Sequence, residues 1–539
     1  MKKKGLCALV SIAFLVTAAM TGCSYKAPEN SSSSQAGTPQ TTTEGQGEQA
    51  VKSDELKIGL DVDAGTMDPR LSRDTTAARV TDLVFDGLIR LSDKMEALPS
   101  LAEKWENPDP TTWVFTLRKG VTFHDGTPFT AQDVKFTYDS LLDPNFKAPY
   151  AKLYAPIASV DVIDESTVKF TLKQPYGPLL SYLDLGIVPK HLAEKDPQAF
   201  SFNPVGTGPY KMVKWDKNSK IAFEANDQYW GGPAKTKKLT YFIIPDNTTR
   251  VSALEAGDVD LVHSPLSPQD ITKIKNNNNF TVIETEGLGF TYLNYNTTNP
   301  ILSDVKVRQA FAHLVDKKLI SESLYAGMDK PGQTPLIPPS WAYDPSITGF
   351  SYDPVEAKRL FDEAGWKDTN SDGFLDKDGQ KLTVTLSTHT EDPNRIQTVE
   401  FLQNEFAKAG VDAKVSTTEW PTFSANMMSQ KFDIALLGWL SLVDPDRAMY
   451  GQFQSQSENN YGKYNNPKVD ELLDKGRASL DQAERAKIYQ EVAKTVTEEV
   501  AYDVVLYQGY VAMHSNKLTG FKEHPKGSLY NLKDVEVNK

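Results

Sequence analysis

Apolar and polar residues alternate over Leu56-Lys57-Ile58-Gly59-Leu60 and over Trp113-Val114-Phe115-Thr116-Leu117, the period of a half-buried strand. The stretches 160–163 and 167–172 alternate in the same way across Asp164-Glu165-Ser166 and predict a hairpin. Between them, Phe123 to Pro128 reads as a turn, and Thr130-Ala131-Gln132-Asp133 opens a helix carrying Val134, Phe136, Tyr138 and Leu141. Farther on the pattern becomes a regular exchange of strand and helix. Asp353, Pro354 and Glu356 predict a boxed helix start, and Gly365 its stop. A strand is expected over 382–386. A helix over 395–409 follows, with Ile396, Val399, Leu402 and Phe406 on one stripe and Gly410 after it. Strands are expected over 411–416 and 504–513. A nearly continuous apolar strand is expected over 432–440, and helices start at Asn466-Pro467 and at Asp481 with Glu484. Such alternation predicts an open α/β sheet, whose ligands sit beyond the carboxyl ends of its strands. Gly438-Trp439 and the loop after it lie at one such end.

Upstream of this body the pattern fails. Lys2, Lys3 and Lys4 precede an apolar run over 6–20, shorter than the ~20 residues of a permanent membrane helix. The run ends at Met20-Thr21-Gly22-Cys23, which resembles a bacterial lipobox. That resemblance implies a signal peptide over 1–22, acylation of Cys23, and anchorage of an exported protein by its N-terminal lipid. From 23 to 54 the chain is rich in Ser, Thr, Gln, Gly and Pro, too poor in apolar area to fold, and reads as a tether spanning ~30 Å.

Among the 539 residues 39% are hydrophobic and 24% charged, which suits a large globular core. The net charge of −13 makes nucleic acid and anionic lipid poor partners for the folded part. Cys7 and Cys23 are the two cysteines, so cysteine catalysis, disulfides and thiolate metal sites are excluded from that part. Seven histidines are scattered without metal-ligand spacing, and no nucleophile elbow, zinc-protease helix, P-loop or dinucleotide fingerprint occurs. Arg308, on an amphipathic helix, reads as a buried structural ion-pair partner. One stretch resembles the start of a calcium loop. Asp368, Asn370, Asp372 and Asp376 fall at loop positions 1, 3, 5 and 9, Gly373 at 6, and Phe374 adds a carbonyl, but Gly379 replaces the final glutamate. Structural calcium is therefore the one metal expectation; the alternative is a polar hairpin. No organic cofactor is implied.

Leu101-Ala102-Glu103-Lys104-Trp105, then Trp113 to Gly120, Phe123-His124-Asp125-Gly126-Thr127-Pro128 and Ala131-Gln132-Asp133-Val134 together resemble the signature of the family 5 extracellular solute-binding proteins. Asn203-Pro204-Val205-Gly206-Thr207-Gly208-Pro209-Tyr210, Val307-Arg308-Gln309-Ala310, Asp316-Lys317-Lys318 and Trp439 with Asp444-Pro445-Asp446 continue the resemblance in order. It implies an α/β, two-lobed clamp of the type II periplasmic-binding-protein kind, with an extra subdomain at about 93–201 in the first lobe. Lobe I would comprise 55–288 and 512–539, and lobe II 289–511, with crossings near 287–292 and 507–513. The implied role is a monomeric, non-enzymatic receptor that delivers peptides, oligopeptides above all, to an ABC import permease. Oligosaccharides and nickel chelates are alternatives within the family, and an anchored hydrolase or an adhesive lipoprotein outside it.

In peptide-binding members an Asp after Gly-Trp pairs with the ligand amine; the position nearest to it here is Leu442, and Asp444 is the candidate substitute. The family's carboxylate-holding Arg aligns with His389. Trp439 and Trp420 complete the expected ligand groups, as stacking surfaces.

Overall fold

The computed structural model describes residues 52–539 apart from Arg73 and Pro265. The expected leader, Cys23 and most of the tether lie outside the described residues. The body begins earlier than expected: Lys52–Ser53 already pair antiparallel with Val537 and Asn538, and Lys52 meets Glu536 at 2.9 Å. Backbone pairing, which leaves no mark in the hydrophobic pattern, recruits these polar residues. Among the described residues no helix is long and apolar enough to cross a membrane.

One mixed eleven-stranded sheet organises the chain. From one edge it runs Asp412–Thr418, Thr383–His389, Ile434–Trp439, Phe280–Tyr295, Tyr502–Ser515, Leu261–Val262, Glu55–Leu60, Lys238–Ile243, Lys220–Ala225 and Tyr210–Asp216, with Lys330–Pro331 against Tyr502–Ser515. The expected β-α-β alternation is present: Thr383–His389, helix Pro393–Lys408 and Asp412–Thr418 form a parallel unit, and Ile434–Trp439 joins Thr383–His389 in parallel from the other side. Ile396 lies off the buried face, but Val399, Leu402 and Phe406 are fully buried, and Gly410, at φ 82°, ends the helix in the left-handed region.

Caps agree with the sequence in position and differ in detail. Asp353 caps Pro354–Glu363 by accepting from the Val355 and Glu356 amides, but the Glu356 carboxylate goes to Arg359 instead of closing a box. Glu484 likewise turns to Ser479 and Lys475. A reciprocal box forms at Thr130 and Asp133, where no arginine competes.

A separate four-stranded antiparallel sheet, Ala102–Asp109, Thr112–Leu117, Thr167–Leu172 and Ile157–Asp164, carries helix Ala131–Leu142. It falls inside the stretch where an inserted subdomain was expected. Two recurrent motifs meet beside it. The His124 ring lies 3.3 Å from the Gly206 amide and 3.0 Å from the Gly208 carbonyl, and burial lowers its pKa to about 4, so it is neutral at ordinary pH. Gly208 must lack a side chain, since a Cβ would lie 2.5 Å from the Leu83 carbonyl oxygen. Nearby, Asp86 accepts from Arg90, Thr207, Tyr229 and Trp230 at 2.7–2.9 Å. These segments are architecture, far more than ligand groups.

Arg308 is structural, but through carbonyls where an ion pair was expected. It donates to Leu302, Ser303, Glu499 and Val500 oxygens, joining helix Val305–His313 to the end of Gln482–Glu498. The reason is local: helix ends expose unpaired carbonyls, and the five-donor guanidinium satisfies several at once. Arg308→Met should therefore cost about 3–5 kcal/mol of stability, since it keeps the apolar stem but orphans buried acceptors. A loss under ~1 kcal/mol in chemical denaturation would show that water replaces the guanidinium.

Candidate functional site

The chain passes out and back between the two halves of the large sheet on neighbouring strands. The ladder of Phe280–Tyr295 with Tyr502–Ser515 runs from Phe280↔Ser515 to Glu286↔Gly509, breaks, and resumes from Phe290↔Tyr507 to Asn294↔Tyr502. At the break the Leu288 carbonyl accepts from the Leu442 amide at 3.0 Å, and the Gly509 amide donates to Asp329 at 3.0 Å. Gly509 is obligatory for the approach: a Cβ there would lie 2.5 Å from the Met328 carbonyl oxygen. Desolvation pushes the Asp329 carboxyl up to about 6; Asp392 adds to the rise, while the Gly509 hydrogen bond, Arg395 and Lys330 oppose it.

Beyond the carboxyl end of Ile434–Trp439 the chain leaves the sheet and builds one wall of a cavity of about 230 Å³ through Ser441, Val443 and Arg447. The opposite wall comes from Pro69, Arg70, Ser72 and Asp74, from helix Thr75–Val84 through Ala78, Thr81 and Asp82, and from Tyr150, Tyr154 and Tyr182. Residues from both halves therefore face one cleft at a strand terminus, the place where an open α/β sheet presents ligand groups. An adjoining cavity of about 340 Å³ shares Asp82, Asp184 and Lys526 with it but is walled by the first half and the C-terminal segment. Lys526 is bonded to Asp184 at that boundary.

The expected ligand residues separate into two groups. Asp444 has no exposed surface. Its oxygens take Arg485 at 2.6 and 3.1 Å, Ser181 at 2.8 Å and the Asp446 amide at 3.0 Å, where it caps helix Pro445–Phe453. In this conformation every strong acceptor direction is used by the protein, so Asp444 holds the cleft loop in place and offers nothing to a ligand ammonium. His389 ends Thr383–His389 and is buried between Glu391 (3.0 Å) and Arg395 (2.9 Å), with its ring edge-on to Trp420. Trp420 is half exposed. Trp439 is partly buried, and its indole donates to Tyr292 at 3.0 Å. His389 and Trp420 thus form one cluster. None of His389, Trp420 and Trp439 lines the 230 Å³ cavity, whereas the neighbours of Asp444 do. Arg447, two positions beyond the Pro445 that follows Asp444, and Asp82 also line this cavity, and neither stands in a motif that the sequence singled out.

The loop with calcium-like spacing is folded on itself. Asp368 accepts from the Asp372 and Gly373 amides, Asn370 from Asp372, and Asp372 from Phe374. Asp376 is turned onto Thr369, and Lys381 stands 3.3 Å from Asp372 and over the Phe374 ring. Among the described residues no cluster of three or more Asp, Glu, His or Cys side chains is placed to hold a metal. Short carboxylates in tight turns bond their own backbone readily, as Asp368 and Asp372 do here.

Comparison with known proteins places this geometry. The family described as bacterial extracellular solute-binding proteins, family 5 (middle), matches residues 96–461. Over 548 residues the chain is 30% identical to the oligopeptide-binding protein AppA of Bacillus subtilis (strain 168), covering 98% of both. Over 474 residues it is 29% identical to the dipeptide-binding protein of Escherichia coli (strain K12), covering 82% of this chain and 86% of that one. The solved structure of NikZ from Campylobacter jejuni in complex with Ni(L-His) superposes with a TM-score of 0.73 at 31% identity, over 91% of this chain and all of that one. The chain belongs to the family 5 bacterial extracellular solute-binding proteins. Its fold is the α/β fold of type II periplasmic binding proteins.

Asp329 supplies a test of the joint. A carboxyl whose folded pKa lies above its unfolded value favours folding most below about pH 4, and that contribution is lost as pH rises through about 6. Asp329→Asn keeps an acceptor for Gly509 and removes the charge. It should melt like the wild type near pH 4 and be more stable by about 1–2 kcal/mol above pH 7, partial solvent access reducing the ~1.4 kcal/mol per unit. A melting difference that does not change with pH would refute the assignment.

Proposed function

We propose that this protein captures peptides, oligopeptides in particular, in the cleft between two lobes and delivers them to an ABC import permease. Lobe I is 55–288 with 512–539, and lobe II is 289–511. The lobes close on the ligand about the paired strands, as a hinged clamp does. The observation that carries this reading is the cavity at the end of Ile434–Trp439, walled from both halves and by three tyrosines of the inserted region. Tyrosines give large amphipathic contact area at little entropic cost, which suits ligands recognised through backbone and varied side chains. Relatives named as oligopeptide- and dipeptide-binding proteins support the same ligand class. The protein acts as a monomer without chemistry, outside the cytoplasm, and is held at the membrane by lipid on Cys23. A calcium ion at 368–376 would have to displace Lys381 and is not needed for this role.

Two experiments test the reading. Native mass spectrometry of gently purified protein should show bound peptides, and added peptide should raise the melting temperature without being cleaved. Retention of a nickel chelate or a sugar in their place would redirect the ligand class, and product formation would make the protein a hydrolase. Separately, Cys23→Ser should leave the protein unprocessed or free of the membrane. An unchanged mature mass and membrane fraction would remove the lipid anchor from this account.

A further inference from the structure

The strands Thr383–His389 and Asp412–Thr418 differ on their two faces. Val384 and Leu386 are fully buried in the cluster that also holds Val399, Leu402 and Phe406 of helix Pro393–Lys408. The opposite face bears Thr385 and Ser387 on one strand and Ser416 and Thr418 on the other, with Ser387 directly beside Ser416. Parallel strands packed on both sides read as continuous apolar runs, so four hydroxyl residues here mark a face that is not packed shut. Its cover is helix Trp420–Met428, which buries only Phe423 and Met427. Between that helix, the hydroxyl face and the turn at 296–300 lies a cavity of about 430 Å³. It has no lining residue in common with the 230 and 340 Å³ cavities. Asp433, which lines it, precedes strand Ile434–Trp439, whereas the cleft loop follows that strand; the 6 residues between them span about 20 Å.

The polar groups of this cavity are largely uncommitted. Among the described residues the hydroxyls of Thr385, Ser387, Ser416 and Thr418 make no hydrogen bond, and neither does the Asn426 carboxamide. The two charged side chains of the lining are Lys431, which is exposed, and Asp433, which accepts from the Thr385 amide at 2.8 Å and from Asn299 at 2.7 Å. Their charges cancel, so the cavity favours neither an anion nor a cation. A hydroxyl donates and accepts, and a carboxamide does both from fixed positions. The complement of such a lining is a neutral molecule with many groups that also do both, and with apolar C–H edges for Phe423 and Met427. That is the chemistry of a sugar ring. We propose that this cavity binds a neutral mono- or disaccharide, its hydroxyls against the Ser and Thr face and Asn426, and its C–H edges against Phe423 and Met427. The volume lies within the ordinary range of small-molecule sites. This site is separate from the peptide cleft and does not depend on the peptide reading.

Saturation-transfer NMR on the mature chain tests this, with maltose, cellobiose, lactose and diacetylchitobiose as probes. At least one of them should bind wild type, and should stay bound when a cleft-binding peptide is added in excess. Thr385→Val and Thr418→Val keep side-chain shape and strand preference and remove one hydroxyl each. Each should weaken that sugar about three- to tenfold, and the two together by about tenfold or more. Thr385→Ser, which keeps the hydroxyl, should bind as wild type does, and Ser416→Ala serves should a Val variant fail to fold. Glucosamine and galacturonate should gain nothing from their charge. Co-sedimentation with insoluble cellulose or chitin would assign the bound rings to a glycan chain, and binding of the free sugar alone would assign a soluble one; the site stands in both cases. Four results each overturn the proposal: no sugar binding up to about 10 mM, displacement of the sugar by peptide, undiminished binding by the hydroxyl-deleted variants, or an about tenfold preference for a charged sugar.

Discussion

The antiparallel ladder between Phe280–Tyr295 and Tyr502–Ser515 carries the chain out of one half of the sheet and back into it. Two strands sharing hydrogen bonds resist being pulled apart in the sheet plane but twist and bend easily about their common direction. The break between Glu286 and Phe290 removes cross-strand bonds partway along this ladder. The backbone groups freed there are not left to water. Leu288 is taken by Leu442 of the cleft loop, and Gly509 by Asp329. The break is thereby hydrogen-bonded to the loop that forms one wall of the 230 Å³ cavity, so a change in one is felt at the other through a single backbone contact.

That loop is held from its far end by a buried ion pair. Asp444 and Arg485 lie 41 positions apart, but Ser181 reaches Asp444 from 263 positions away, and an added Cβ at Gly177 would meet the Ser479 carbonyl oxygen at 2.1 Å. Buried charges of this kind add little net stability, because desolvation offsets most of the attraction. What they supply is a fixed position. Leu442 is packed down, and Ser441, Val443 and Arg447 line the cavity.

The α/β alternation, the ends of the main helices and the family resemblance were legible because each depends on residues close in sequence. Gly410 stops its helix by local backbone geometry, and the apolar run at 432–440 could only be a buried strand or a buried helix segment. The site was harder to read. Asp444 looks like a ligand group until Arg485, 41 positions away, and Ser181, 263 away, are brought to it. His389 is taken by Arg395 only six positions on and by Glu391 two positions on, neighbours whose side-chain directions spacing does not fix. The box predicted at Glu356 lost to Arg359 one turn along the same helix, a competition between two short-range partners that spacing rules do not rank. The strand at Lys52–Ser53 was invisible because it is recruited by backbone alone.

The order of the elements along the chain sets the order in which they can be finished. Residues 289–511 are contiguous, so every partner within that stretch is available once its last residue has been synthesised. The other half lacks its closing pieces until the end. Phe280 to Glu286 and Leu261–Val262 each wait for residues 509–515, and Lys52–Ser53 waits for Val537 and Asn538. Until then the parallel strands Glu55–Leu60 and Leu261–Val262 present an unpaired, largely apolar edge. The half that is begun first is thus completed last, and its open edge is the part of the nascent chain most in need of shielding from other chains.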